Sequence, residues 1–238
     1  MLGALGLVVM ISGAQFLKQD VQGSEQLDRS NNKTNTSQIR SEGFSFIEAI
    51  ATKQFWMIFA MVFCFGFCVF VIQVHIVPYT TDMQISAATA ALILSTIGGS
   101  SIIGRIVLGS LGDKIGNRNA YIIVFLPMAI SILLLIPSRE PWNFFLLAFI
   151  FGLAYGNGVA QESPLVAAMF GLSSLGSILG LIVFAFGIGV AIGPVLASYM
   201  FDVTGSYQLA LIVTAAVSVI ALILTILLKP VKAKIQAN

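Results

Sequence analysis

The chain has 238 residues, of which 58% are apolar and 9% charged, and its formal net charge is +2. Soluble domains carry about 25% charged residues, so this composition excludes an ordinary soluble fold and identifies an integral, all-α membrane protein. A charge this small, with no basic stripe, gives nucleic acid nothing to bind.

Residues 1–17 form an apolar segment of marginal spanning length. No Lys or Arg precedes it, as a secretory signal's n-region requires, so it reads as a short or truncated transmembrane helix. Residues 18–53 are rich in Ser, Asn, Gln and Thr and read as a disordered polar linker. Its end carries a capping box, Ser45 with Glu48, that opens a surface helix leading into the next span. Two glycosylation triplets, Asn32-Lys33-Thr34 and Asn35-Thr36-Ser37, fall in this stretch and are chance products of its composition.

Six spans follow, at 55–78, 87–111, 120–137, 141–161, 175–200 and 207–228, most of them close to the ~20 residues that cross a bilayer. Together they predict a bundle over 54–229, followed by a tail at 230–238. Pro78-Tyr79 is expected to stop the first span. Between Glu162 and Asp202 lie 39 uncharged residues, too many for one span. Ser163-Pro164 and the GLSSLGS cluster at 171–177 predict the break and a short loop there.

Basic residues set the orientation. Lys18, Arg29, Lys33, Arg40 and Lys53 in the linker, Lys114 and Arg118 in one turn, and Lys229, Lys232 and Lys234 in the tail share one side, against Arg139 on the other. The linker and C-terminus are therefore expected to be cytoplasmic, in a multi-pass protein of the cell membrane.

Little in the sequence suits catalysis. It has no GxxxxGK[ST] phosphate loop, no spaced metal-ligand cluster, and one histidine as a neutral-pH base, so it predicts neither an enzyme nor a bound metal or cofactor. Cys64 and Cys68, four apart in an apolar helix, read as packing residues.

Arg105 is the sharpest candidate. It is the one charge in the 26 residues of 87–112 and lies about 10 Å inward from a helix end near Gly112. An arginine that deep should face a protein interior or a wet cavity, where its planar fork grips a carboxylate with two hydrogen bonds. The structural alternative is a side chain that snorkels to the headgroups or pairs with Asp113. His75 has the same two readings, a hydrogen-bonded packing residue or a proton or substrate ligand. Gly176/Gly180 and Gly189/Gly193 have the four-residue spacing of close helix contacts, with hinge motion as the other use, and Pro194 kinks that helix and frees a carbonyl. The phenylalanines at 63, 65, 67, 70, 184 and 186 read as lipid-facing or packing residues.

The stretch GRIVLGSLGDKIGNR at 104–118 resembles the motif that major facilitator superfamily transporters carry between helices two and three of each half. His75 to Asp82, and Gly193-Pro194 through Phe201 to Tyr207, are similar to the seventh-helix end and the eleventh-to-twelfth connection of monocarboxylate and oxalate/formate transporters. The resemblance covers about residues 50–230 and implies the C-terminal six-helix half of such a transporter, with 1–17 the remnant of helix six. It implies that Arg105 binds substrate carboxylate, and that Gly104, Gly109, Asp113, Lys114 and Arg118 belong to a cytoplasmic gating loop. Where monocarboxylate transporters commonly have an aspartate four residues before that arginine this chain has Ser101, and where the oxalate transporter has a second cation it has Phe186. One cation suits one carboxylate, so the implied function is secondary transport of small organic anions, monocarboxylates before oxalate. The implied partners are that anion, the lipid bilayer, and a missing N-terminal half or a second copy. A non-transporting remnant or accessory membrane subunit is the alternative.

Overall fold

The computed structural model describes residues 43–228. The expected segment at 1–17, the linker up to residue 42 and the tail lie outside the described residues. In chain order the elements are α1 (Phe46–Ile50), α2 (Lys53–Asp82), α3 (Ala87–Ile103), a π-helical turn (Gly104–Leu108), α4 (Gly109–Ile115), α5 (Asn117–Leu135), α6 (Pro141–Phe170), α7 (Leu175–Thr204) and α8 (Gln208–Leu227). Among the described residues, six helical stretches are long and apolar enough to cross a membrane. A helix pairs its own backbone, so it can stand in lipid without outside partners.

Local chemistry starts and stops these helices. Ser45 and Glu48 make the reciprocal capping box of α1, with Ser45 N donating to Glu48 Oε2 at 2.9 Å and Glu48 N to Ser45 Oγ at 3.4 Å. Thr52 Oγ1 accepts from Phe55 N at the head of α2, and Ser86 Oγ from Thr89 N at the head of α3. Pro141 opens α6, where its missing N–H is no loss. At the other ends, Gly116, Gly171 and Gly205 take positive φ values of 84°, 79° and 68°, which side-chain-bearing residues avoid.

Two prolines expected to end spans do not. Helix α2 runs through Pro78 to Asp82, and the Thr80 hydroxyl bonds back to Ile76 O at 2.8 Å within its last turn. Helix α6 runs through Pro164 to Phe170, so Ser163-Pro164 does not break it, and the short connection falls at 171–174, within the GLSSLGS cluster where a loop is expected. Such prolines persist because neighbouring helices hold the chain in its helical path. The span expected to close near Gly112 continues to Ile115 after its π turn.

The pairing of helices is symmetric. Helix α2 packs on α7 and α8, α6 packs on α3 and α5, and α5 packs on α8. Exchanging α2, α3 and α5 with α6, α7 and α8 maps α2–α7 onto α6–α3 and α2–α8 onto α6–α5 and leaves α5–α8 unchanged, the pattern of two three-helix repeats. Phe65, Phe125, Phe151 and Tyr121 fill the shared core, while α3 and α7 are the least buried of the six spans.

Candidate functional site

Arg105 stands in the π turn, where the Gly109 N–H reaches back to Gly104 O. Single π turns inside α-helices recur at functional positions because they re-aim side chains. With the helix ending at Ile115, Arg105 is ten residues inward, roughly 15 Å. Its side chain is exposed, its guanidinium carbon sits 5.9 Å from the Tyr155 ring centroid on α6, and no ion pair or hydrogen bond holds it among the described residues. Gly98 and Ser95, seven and ten residues earlier on the same stripe, are exposed too.

An aromatic relay backs the arginine. Tyr155 packs on Phe65 of α2 at 6.2 Å, Phe65 on Phe186 of α7 at 5.9 Å, and Phe186 on Phe70 at 6.1 Å. Gly158 makes room for the Phe65 ring, which a Cβ there would strike.

Small residues bring this site together. On α6, Gly152 lies against Ile97 and Ser100, and Gly156 against the Ser101 carbonyl; in return Gly104 lies against the Leu153 backbone and Gly109 near the Ala160 side chain. Gly112 leaves space for Gln161, whose Nε2 donates to Gly109 O at 2.7 Å. Asp113 and Lys114 stand on α4, their side chains outside what is described. The Arg118 guanidinium donates to Ile226 O in the last turn of α8, a cation on a helix's final carbonyls.

His75 is buried at the opposite end of α2. Its ring lies 5.3 Å from that of Tyr207, and Nε2 approaches Pro194 O at 3.1 Å. A carbonyl can only accept, so Nε2 carries the hydrogen and Nδ1, which has no partner among the described residues, is left as the open position. A small apolar cavity beside the ring is lined by Val71, Ile76, Tyr79, Tyr207 and Leu211. Burial pushes the Tyr207 phenol up, and the charges of Asp82 and Asp202 add to it. His75 is ten residues along α2 from Phe65, roughly 15 Å, so the fold does not bring it to Arg105.

Of the paired glycines on α7, Gly189 lies against the Phe63 and Phe67 backbone, and a Cβ on Gly193 would sit 2.9 Å from Phe67 O. Gly176 and Gly180 face open space, with nothing within 4 Å of such a Cβ, so they make no close packing among the described residues. Pro194 offers His75 its own carbonyl.

Sequence reasoning missed a polar group on α6. Asn157 and Gln161 are each 1% exposed, and Glu162, taken as a span boundary, lies eight residues inside the helix. Their spacing was the available signal. Asn157 and Gln161 are one turn apart, and the apolar run 164–170 after Glu162 gives the helix residues to continue through.

The Major Facilitator Superfamily model matches residues 1–118 and 58–238. An uncharacterized MFS-type transporter of Bacillus subtilis, YcxA, is 29% identical over 156 residues, covering 62% of this chain and 37% of its own. Monocarboxylate transporter 12 of Rattus norvegicus is 29% identical over 150 residues, 58% of this chain and 29% of its own, and monocarboxylate transporter 13 of Bos taurus is 28% identical over 149, 62% and 35%. The chain thus spans about a third of the length of these relatives. The crystal structure of the MFS transporter FucP in the outward conformation superposes with a TM-score of 0.64 at 15% identity, over 83% of this chain and 48% of that one. Six apolar spans in two three-helix repeats, a glycine-packed arginine helix and a family model that matches most of the chain lead to one conclusion: this chain belongs to the Major Facilitator Superfamily.

Proposed function

We propose that this chain is one six-helix half of a secondary transporter for small organic anions, most simply monocarboxylates, with Arg105 as the group that binds the substrate carboxylate. The observation that carries this reading is Arg105 itself, roughly 15 Å inside its helix, exposed, with its guanidinium over the Tyr155 ring. A permanent charge at that depth is stable against a wet cavity and not against lipid. Behind it stand Phe65 and Phe186, so the site offers one cation on an aromatic floor, which suits one carboxylate on a small organic body.

The opposite wall of the cavity comes from a second six-helix bundle, since transporters of this architecture bind between two. The linker and tail face the cytoplasm, and Asp113, Lys114 and Arg118 close that side. His75 acts at the outer end by tying α2 to α7 through Pro194 O, away from the anion.

The test is radiolabelled lactate uptake by the intact transporter in proteoliposomes. Arg105→Lys keeps the charge but loses the two-pronged fork, so the apparent affinity should weaken by about 1–3 kcal/mol. Arg105→Ala should abolish uptake. Wild-type uptake in the lysine variant at matched membrane abundance would reduce Arg105 to a snorkelling anchor, and an intact protein that moves no organic anion would support the accessory-subunit alternative.

A further inference from the structure

We propose that Gln161 is a positioning residue: its buried amide clasps the hairpin of α4 and α5 to α6, the helix that carries Tyr155, so that a shift of α6 carries the 113–118 turn with it. The effect on transport rests on the anion-transport reading above; the clasp itself does not. Gln161 is buried, and its Nε2 donates to Gly109 O at 2.7 Å. Its Oε1 has no partner among the described residues, so the amide is held through its N–H alone.

One turn of α6 holds both limbs of the hairpin. Gln161 meets Gly109 ahead of the 113–118 turn, and Asn157, four residues earlier on the same face of α6, donates Nδ2 to Ala120 O behind it at 3.4 Å. The Tyr121 hydroxyl answers from α5 with a bond to Gly158 O, also at 3.4 Å. Asp113, Lys114 and Arg118 all lie between the two gripped carbonyls in sequence. Gly112 completes the fit, because an added Cβ there would overlap the Gln161 amide. Arg118 bonds Ile226 O of α8 from an exposed position, where water competes for it, so the buried α6 bonds set where the hairpin stands.

The clasp sits one turn from the arginine. Gly109 follows Arg105 by four residues, and Tyr155, under the Arg105 guanidinium, precedes Gln161 by six. Between these two points Gly156 lies against the Ser101 carbonyl and Gly104 against the Leu153 backbone. Contacts of that kind let packed helices slide a little past one another. A directed hydrogen bond fixes their register. The ring at Arg105 and the amide at Gly109 therefore make α6 the link between the anion site and the turn.

Two measurements on the intact transporter test this. In lipid nanodiscs, Gln161→Met keeps the side-chain volume without the N–H, so amide hydrogen exchange should rise roughly tenfold or more at 109–121 and stay within about twofold in α7. Gly112→Ala displaces the amide and should give the same pattern, yet add less than about twofold where Gln161 is already Ala, because the two substitutions act through one contact. Unchanged exchange at 109–121 in Gln161→Met, or independent effects of Gly112→Ala and Gln161→Ala, overturns the clasp. In proteoliposomes, Gln161→Met should lower Vmax for lactate uptake roughly fivefold or more with KM within about twofold, whereas Arg105→Lys raises KM. A raised KM at unchanged Vmax, or wild-type kinetics, overturns the link to transport. A wild type that moves no lactate refutes the anion reading, and hydrogen exchange then decides the clasp alone.

Discussion

The Arg105 guanidinium carbon and the Tyr155 ring centre are 5.9 Å apart, which places a fixed cation of one helix over an aromatic face of the next. That contact orients a charge without neutralising it. A carboxylate partner would have closed the fork, whereas a ring leaves its N–H groups open to a ligand.

Tyr155 should accordingly tune anion affinity. Tyr155→Phe keeps the ring face and should leave the KM for lactate near wild type, while Tyr155→Ala gives up a contact worth about 0.5–1 kcal/mol and should raise KM roughly two- to fivefold. Equal KM values in the two variants would mean that the ring does not orient Arg105.

Gly156 and Gly180 should respond oppositely to added carbon. A side chain on Gly156 enters the Ser101 carbonyl, so Gly156→Val should destabilise the fold by about 1–3 kcal/mol or more, read as a lower Tm in detergent. Gly180 faces open space within a helix, and Gly180→Ala should be neutral or raise Tm through an intrinsic gain of about 0.5–1 kcal/mol. Similar Tm losses in both would show that the Gly180 face is covered in the assembled protein.

His75→Gln can still offer an N–H to Pro194 O, whereas His75→Ala cannot and also empties space beside Tyr207. Thermal melting should therefore separate them, with the alanine variant less stable by at least about 1 kcal/mol. If the two melt together, the Pro194 contact contributes nothing.

Asp113→Asn should slow transport by the intact protein while leaving insertion unchanged, because the closing loop loses a charge that favours one closed state. Unaltered rates would leave that loop with a topological role only.

A cysteine placed at Ser37, in the linker, should react with an impermeant thiol reagent only from the cytoplasmic side. Labelling of sealed cells from outside would invert the orientation and every side assignment that follows from it.

How far the sequence carries depends on whether a feature is local. Apolar run length, capping at Ser45 and Ser86, and turn glycines at 116, 171 and 205 all act within a few residues, and the helices form where those signals stand. Pro78 and Pro164 misled for the opposite reason. A proline's effect depends on what packs around it, and in a bundle the helix continues. Spacing alone also ranked the glycines wrongly. Gly176/Gly180 and Gly189/Gly193 are the same pattern in sequence, yet α2 backbone faces only the second pair.

By itself, then, the sequence determined that this is a helical membrane protein with six apolar spans over the described residues and an arginine within one of them, because solvation in lipid is decided residue by residue. Only the tertiary structure decided that Arg105 meets Tyr155 across helices, that His75 belongs to Pro194 and Tyr207 at the other end, and that α6 continues past Glu162 to Phe170. Those relations depend on which faces of distant segments pack together, and packing is a property of the whole bundle that no single stretch of the chain encodes.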